Sequence, residues 1–148
     1  MKKPSNRLFF CGVFSYLCNM GREILIQEDY LDDPWKMMVC CICLNQTSNK
    51  QVRPILDILF SIIPDPNSAV ICQKEMISEC LKSTGFQNVK ADRIKKMSSK
   101  WIEGFRDPLD LPGIGKYGQD SWDIFINGNI ERETSDKKLS AYLSFFRR

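Results

Sequence analysis

One stretch constrains the fold more than any other. Asp33-Pro34 is followed by Trp35, Met37, Met38, Val39, Cys40, Cys41, Ile42, Cys43 and Leu44. Aspartate caps the free amides of a first turn, and proline fits that turn because its missing N–H would have no partner there. The helix so opened is apolar nearly all round, so it has to be enclosed by other elements. The flanking sequence supplies them as helices. Residues 23–31 carry Ile24, Leu25, Ile26 and Tyr30. Thr47-Ser48 can cap a helix with Val52, Ile55, Leu56, Ile58, Leu59 and Ile62 on its inner stripe, kinked or shifted at Pro54. The run Pro64-Asp-Pro-Asn-Ser68 reads as a turn and a new cap, leading to short helices over residues 68–72 and 74–82, the second closed by Gly85. Residues 90–101 form a basic amphipathic helix with Ala91, Ile94, Met97 and Trp101 inward. No segment alternates with a period of two, so no sheet is expected. The predicted fold is all-α, one domain of roughly eight to ten short helices.

Composition narrows the chemistry. The 148 residues contain no histidine, which removes the Ser-His-Asp triad, the Cys-His pair, the HExxH zinc helix and histidine-ligated haem. Acid–base work would fall to carboxylates, lysines, tyrosines or cysteines. The seven cysteines are odd in number and irregularly spaced, unlike a secreted disulfide framework. Cys40-Cys41-Ile42-Cys43 contains a CxxC with no second pair to complete a zinc site, so these read as buried thiols in a reducing compartment. Net charge is only +3. Its distribution is uneven: Lys82, Lys90, Arg93, Lys95, Lys96, Lys100 and Arg106 cluster, whereas residues 23–33 are acidic. That asymmetry suits one polyanion-facing surface, although on charge alone a solvated basic helix face is the commoner reading. At the start of the chain, Lys2, Lys3 and Arg7 precede an apolar stretch, residues 8–18, with the outline of a signal peptide. It is too short to span a bilayer and lacks an obvious cleavage site, so residues 1–21 are read as an atypical N-terminal arm or first helix, and no membrane partner is expected.

The most informative segment is Leu111-Pro112-Gly113-Ile114-Gly115-Lys116-Tyr117-Gly118-Gln119-Asp120-Ser121. Two glycines two apart, after proline and before a helix through Trp122, Ile124 and Phe125, form a tight hairpin presenting backbone N–H groups. Such a helix start is suited to a phosphate, and glycine lets the backbone approach closely. A helix–turn–helix connector without ligand has the same outline.

The full string resembles the hairpin of the helix–hairpin–helix DNA glycosylase superfamily that includes endonuclease III, in which an aspartate follows some twenty-odd residues on. Here Asp136 lies 23 residues after Gly113. Further strings occur in order: Ile26-Gln27-Glu28, Asp33-Pro34-Trp35-Lys36, Leu44-Asn45-Gln46-Thr47-Ser48, and Asp136 with Lys138, Leu139 and Tyr142. Together they are similar to the glycosylase domain of the methyl-CpG-binding-domain mismatch glycosylases, over about residues 24–146. The resemblance implies a catalytic domain over residues 22–148, with helices in two lobes and an active-site cleft between them. It implies a monomeric, nuclear, monofunctional glycosylase that removes thymine or uracil opposite guanine from double-stranded DNA, with no cofactor.

The resemblance also assigns roles. Asp136 would stabilise the oxocarbenium-like sugar and activate water. Thr134 or Ser135 would cap the helix, placing Asp136 in its first turn, with Lys137 and Lys138 keeping it charged. Tyr117 stands where the glycosylase/lyases carry a Schiff-base lysine, and a phenol cannot form that imine. Gln27, Tyr117 and Lys138 would line the base pocket, the Gln27 amide suiting the imide edge of a pyrimidine. Gly113, Gly115, Lys116 and Tyr117 would hold phosphate, with Lys90, Arg93, Lys95 and Lys96 as outlying anchors. Gln46 and Phe86 would enter the DNA stack as wedges. Both depart from the family's usual arginine and leucine, and the hairpin-to-Asp136 spacing is one residue short. A helix–hairpin–helix module that binds DNA with little or no catalysis is the other reading.

Overall fold

The computed structural model describes residues 21–147; the N-terminal arm lies outside them. Every element among the described residues is helical. A 3₁₀ helix, Ile26–Tyr30, leads into α1 (Pro34–Cys43), followed by α2 (Asn49–Val52), α3 (Leu56–Ile62), α4 (Pro66–Ile71), α5 (Lys74–Cys80), α6 (Gln87–Glu103), α7 (Lys116–Ser121) and α8 (Lys137–Phe146). Short 3₁₀ turns lie at Arg53–Ile55, Lys82–Thr84 and Pro108–Asp110, and α7 runs on as a π-helical turn, Trp122–Ile126.

Helix α1 forms as its sequence demands. The Asp33 side chain accepts from the Lys36 amide, Pro34 occupies the first turn, and every residue from Met37 to Cys43 is buried. It packs against the first 3₁₀ helix, α6, α7 and the π turn. The remaining helices sort to its two sides. On one, α6 is packed by α4 and α5, and α1 is tied to it by the Trp35 indole N–H, which donates to Ser98 Oγ at 3.0 Å. On the other, α8 buries Leu139 and Leu143 and sets Tyr142 against Phe125 of the π turn, the rings tilted with centroids 4.8 Å apart.

Pro54 does break the helix that Ser48 caps: α2 and α3 are separated by the 3₁₀ turn at Arg53–Ile55. The helix expected over 68–72 starts two residues earlier, because Asp65-Pro66 repeats the cap-then-proline device of Asp33-Pro34. Helix α6 is longer than expected and buries Ala91, Ile94 and Met97, with Trp101 partly buried against Phe105 and Trp122. The thiols of Cys40, Cys41 and Cys43 are free and buried, and burial pushes those of Cys41 and Cys43 up to about 12.

Candidate functional site

A cleft of about 700 Å³ opens between the two sides of the molecule. The turn from Leu44 to Asn49, Arg93 of α6, the hairpin from Gly113 to Gly118, and Asp136 and Lys138 at the start of α8 line it. Segments nearly a hundred residues apart in sequence thus meet around one space.

The hairpin is built by conformation first. Gly113 has φ +84°, where a side chain is strained. A Cβ there would also lie 2.9 Å from the Cβ of Arg93, so its small size lets α6 pass close behind. Gly115 differs: it is the N-cap of α7 with extended backbone, and a Cβ there would meet nothing within 4 Å. Its openness faces the cleft, leaving the first amides of α7 approachable. Gly118 is there for packing, since a Cβ would sit 2.6 Å from Ile114 Cγ2.

Asp136 is itself the N-cap of α8, not a first-turn residue; its Oδ1 accepts from the Leu139 amide at 2.9 Å. Its Oδ2 has no hydrogen-bond partner among the described residues. The charge lies close enough to the Tyr117 phenol and the Cys41 thiol to raise the pKa of each, in addition to the larger effect of burial. Thr134, expected as a cap, does something else. Its hydroxyl accepts from the Asp136 amide at 3.2 Å and donates to Asp120 Oδ2 at 2.7 Å. Asp120 is buried and also takes Lys116 Nζ at 2.9 Å and Arg132 Nε at 2.7 Å. Burial opposes its ionisation, but the bonds from Lys116, Thr134 and Arg132 outweigh it and hold its pKa below the usual carboxylate value. Asp120 therefore joins the hairpin helix to the segment that delivers Asp136. Its position in the hairpin string was plain, but its burial and partners were not.

Gln27 is fully buried. Its Nε2 donates to the Tyr117 hydroxyl at 2.7 Å and to Ser121 Oγ at 3.0 Å. Its Oε1 is buried with no partner among the described residues, an arrangement that normally costs stability. Asn49 fixes the backbone beside it, its Oδ1 accepting from the Ile26 amide at 3.0 Å. Tyr117 lines the cleft and Gln27 stands behind it. Lys138 also lines the cleft, but its ammonium is paired with Glu23.

Gln46 borders the cleft, whereas Phe86 does not line it and projects to solvent, 61% exposed. They are the two non-glycine residues with left-handed backbone among those described, φ +56° and +52°.

Two of the expected phosphate anchors are engaged elsewhere. Lys90 is buried, its Nζ donating to Thr47 Oγ1 at 2.7 Å and to Thr84 O at 3.2 Å. Lys95 donates to the carbonyls of Ala69, Val70 and Cys72 at the end of α4. Lys96 pairs with Asp92 on the surface at 3.0 Å, and of the four only Arg93 reaches the cleft. Among the described residues no group of three or more cysteines and carboxylates is placed to hold a metal ion, and no helix is long and apolar enough to cross a membrane.

Residues 39–142 match the family described as HhH-GPD superfamily base excision DNA repair protein. The chain belongs to the HhH-GPD superfamily. Among its relatives, a methyl-CpG-binding domain protein 4-like protein from Arabidopsis thaliana is 34% identical over 125 residues, covering 83% of this chain and 28% of the relative. A thymine/uracil-DNA glycosylase from Pyrobaculum aerophilum is 31% identical over 93 residues, covering 57% of this chain and 40% of the relative. The chain thus spans well under half the length of these relatives. Of solved structures, a thermostable thymine-DNA glycosylase superposes with a TM-score of 0.64 at 23% identity, covering 84% of this chain and 61% of that one. An endonuclease III–DNA covalent intermediate gives 0.57 at 19%, covering 71% and 62%. Those two likenesses carry the HhH-GPD fold, which agrees with the all-α architecture expected from the sequence.

Proposed function

We propose that residues 22–148 form a monofunctional DNA glycosylase domain that excises thymine or uracil mispaired with guanine. The observation that carries this reading is Asp136, a helix-capping carboxylate with one oxygen uncommitted, in the same cleft as an open glycine hairpin. A phosphate seated on the amides around Gly115 would bring the neighbouring nucleotide to the cleft. A mispaired base leaves the stack more cheaply than a paired one. Once the base is extruded, the Asp136 carboxylate stabilises positive charge building on the sugar as the N-glycosidic bond lengthens, and Oδ2 accepts a proton from the attacking water. The base departs with the bonding electron pair. The buried Oε1 of Gln27 is the acceptor left for an imide N–H, which thymine and uracil both offer. A base pairing there has to enter beside Tyr117, whose phenol stays protonated because burial raises its pKa.

Tyr117 offers no amine, so the reaction ends at an abasic site without strand cleavage. Lesions of this kind arise by deamination of 5-methylcytosine and cytosine; on this proposal the protein acts on them in nuclear DNA, as a monomer.

The test is single-turnover excision on end-labelled duplexes containing G·T or G·U, developed with alkali. Asp136→Asn keeps the cap, since asparagine caps as well as aspartate, so its melting temperature should match the wild type. Its excision rate should fall by at least about 100-fold, the scale of losing one preorganised electrostatic group. Wild-type protein that binds these duplexes and releases no base would favour the DNA-binding module instead.

A further inference from the structure

Lys90 is 1% exposed, and its ammonium is surrounded by neutral oxygens. It donates to Thr47 Oγ1 at 2.7 Å, to the Thr84 carbonyl at 3.2 Å and toward Thr84 Oγ1 at 3.4 Å. Thr47 Oγ1 in turn lies 2.9 Å from the Thr84 carbonyl as a donor. Taking a lysine charge out of water without a carboxylate partner is unfavourable, and burial lowers the Lys90 pKa accordingly. A methionine would fill the same slot without that cost. The position of the partners suggests what the charge is for. Thr47 follows Gln46 and Thr84 lies two residues before Phe86, and these are the two strained left-handed side-chain positions among the described residues. The Lys90 backbone amide also donates to the Phe86 carbonyl at 2.9 Å. Strained non-glycine conformations persist only where the surroundings fix them. One residue here grips both turns.

We propose that Lys90 is a positioning residue whose buried ammonium ties the Gln46 turn to the Phe86 turn, so that the two side chains enter duplex DNA as one preorganised pair. The proposal rests on the proposed glycosylase reading and on the wedge roles that the family resemblance implies for Gln46 and Phe86. Without the clamp each turn would have to be ordered during binding, and that cost would appear in the flipping step.

The experiment uses the full chain and a G·U duplex with 2-aminopurine next to the mismatch, whose fluorescence rises on unstacking, alongside single-turnover excision and thermal melting. Lys90→Met should cut the fluorescence rise and the excision rate about tenfold while melting no lower than the wild type, because the desolvation cost is removed. Thr47→Val removes the far end of the clamp, and with it the shortest hydrogen bond of the ammonium, while leaving Lys90 in place; its unstacking signal decides the matter if Lys90→Met fails to fold. On a Phe86→Ala background, Lys90→Met should cost less than about twofold more, because coupled residues act non-additively. A lysine that merely supports the fold would lower melting and act independently of Phe86, which would overturn the proposal. So would wild-type unstacking in both Lys90→Met and Thr47→Val. Lys90-dependent unstacking with no excision by the wild type would refute the glycosylase reading and leave the clamp standing. No unstacking by the wild type would overturn the wedge assignment and the clamp with it.

Discussion

Replacing Gly113 by alanine and Gly115 by alanine should separate two jobs that the hairpin sequence runs together. At Gly113 φ is +84° and a Cβ would lie 2.9 Å from the Arg93 Cβ, an atom fixed by the backbone of α6. A left-handed non-glycine residue costs about 1–2 kcal/mol, and forcing an extra methyl into packed surroundings costs about 1–3 more. Alanine returns roughly 0.4–1 kcal/mol by restricting the unfolded chain. The net destabilisation for Gly113→Ala is therefore about 1–4.5 kcal/mol, within the reach of the named mechanisms for large effects. For a chain of this size that is a fall in Tm of roughly 2–18 °C. At Gly115 neither term applies: the backbone is extended and the Cβ would meet nothing within 4 Å. Gly115→Ala should keep Tm within about 2 °C, in line with a surface change of about 0.5 kcal/mol or less. Its methyl would project into the space the amides of α7 need for a phosphate, so duplex binding by fluorescence anisotropy should weaken at least about tenfold. Calorimetry and anisotropy on the two variants check both halves. A Gly113→Ala protein that melts with the wild type would refute the conformational argument. A Gly115→Ala protein that binds DNA like the wild type would refute the phosphate site.

Two further outcomes follow from the Asp120 network. Thr134→Val removes the hydroxyl between Asp120 and the Asp136 amide, leaving a buried carboxylate oxygen and a backbone N–H unpaired. It should lower stability by about 1–3 kcal/mol in thermal melts and slow single-turnover excision more than it weakens duplex binding. Asp120 has a folded-state pKa below its unfolded value, so the unfolded chain binds the proton more readily. Its contribution is present in full above the unfolded pKa and is lost as pH falls through the folded one. Asp120→Asn should thus narrow the gap to the wild type in acid-unfolding curves below about pH 4; a gap unchanged down to the lowest pH would remove Asp120 from the network.

Much of the fold was legible because its signals are local. The Asp33-Pro34 start, the apolar circumference of α1 and the break at Pro54 depend only on neighbours in sequence. The hairpin was legible for the same reason, as a short string; that Asp136 shares a cleft with it depends on the packing of α8. Lys90 and Lys95 were misread because nothing along α6 distinguishes them from Lys96. Their surroundings come from Thr47, 43 residues away, and from the end of α4, more than twenty away. The cap of α8 was misplaced because Thr134, Ser135 and Asp136 can all cap, and Thr134 is drawn off by Asp120. Gln27 was singled out by its string, but its unpartnered oxygen emerges only once Tyr117 and Ser121 are in place.

The N-cap role of Asp136 also bears on how such a protein can be lost. Aspartate and asparagine codons differ by a single transition, and asparagine keeps the bond to the Leu139 amide. On the function proposed above, one mutation would therefore yield a chain that folds and still grips DNA while releasing no base. Such a product would escape the quality control that removes unfolded chains and would occupy sites that another repair enzyme could otherwise reach. On that reading a dominant-negative allele lies one nucleotide from the wild type.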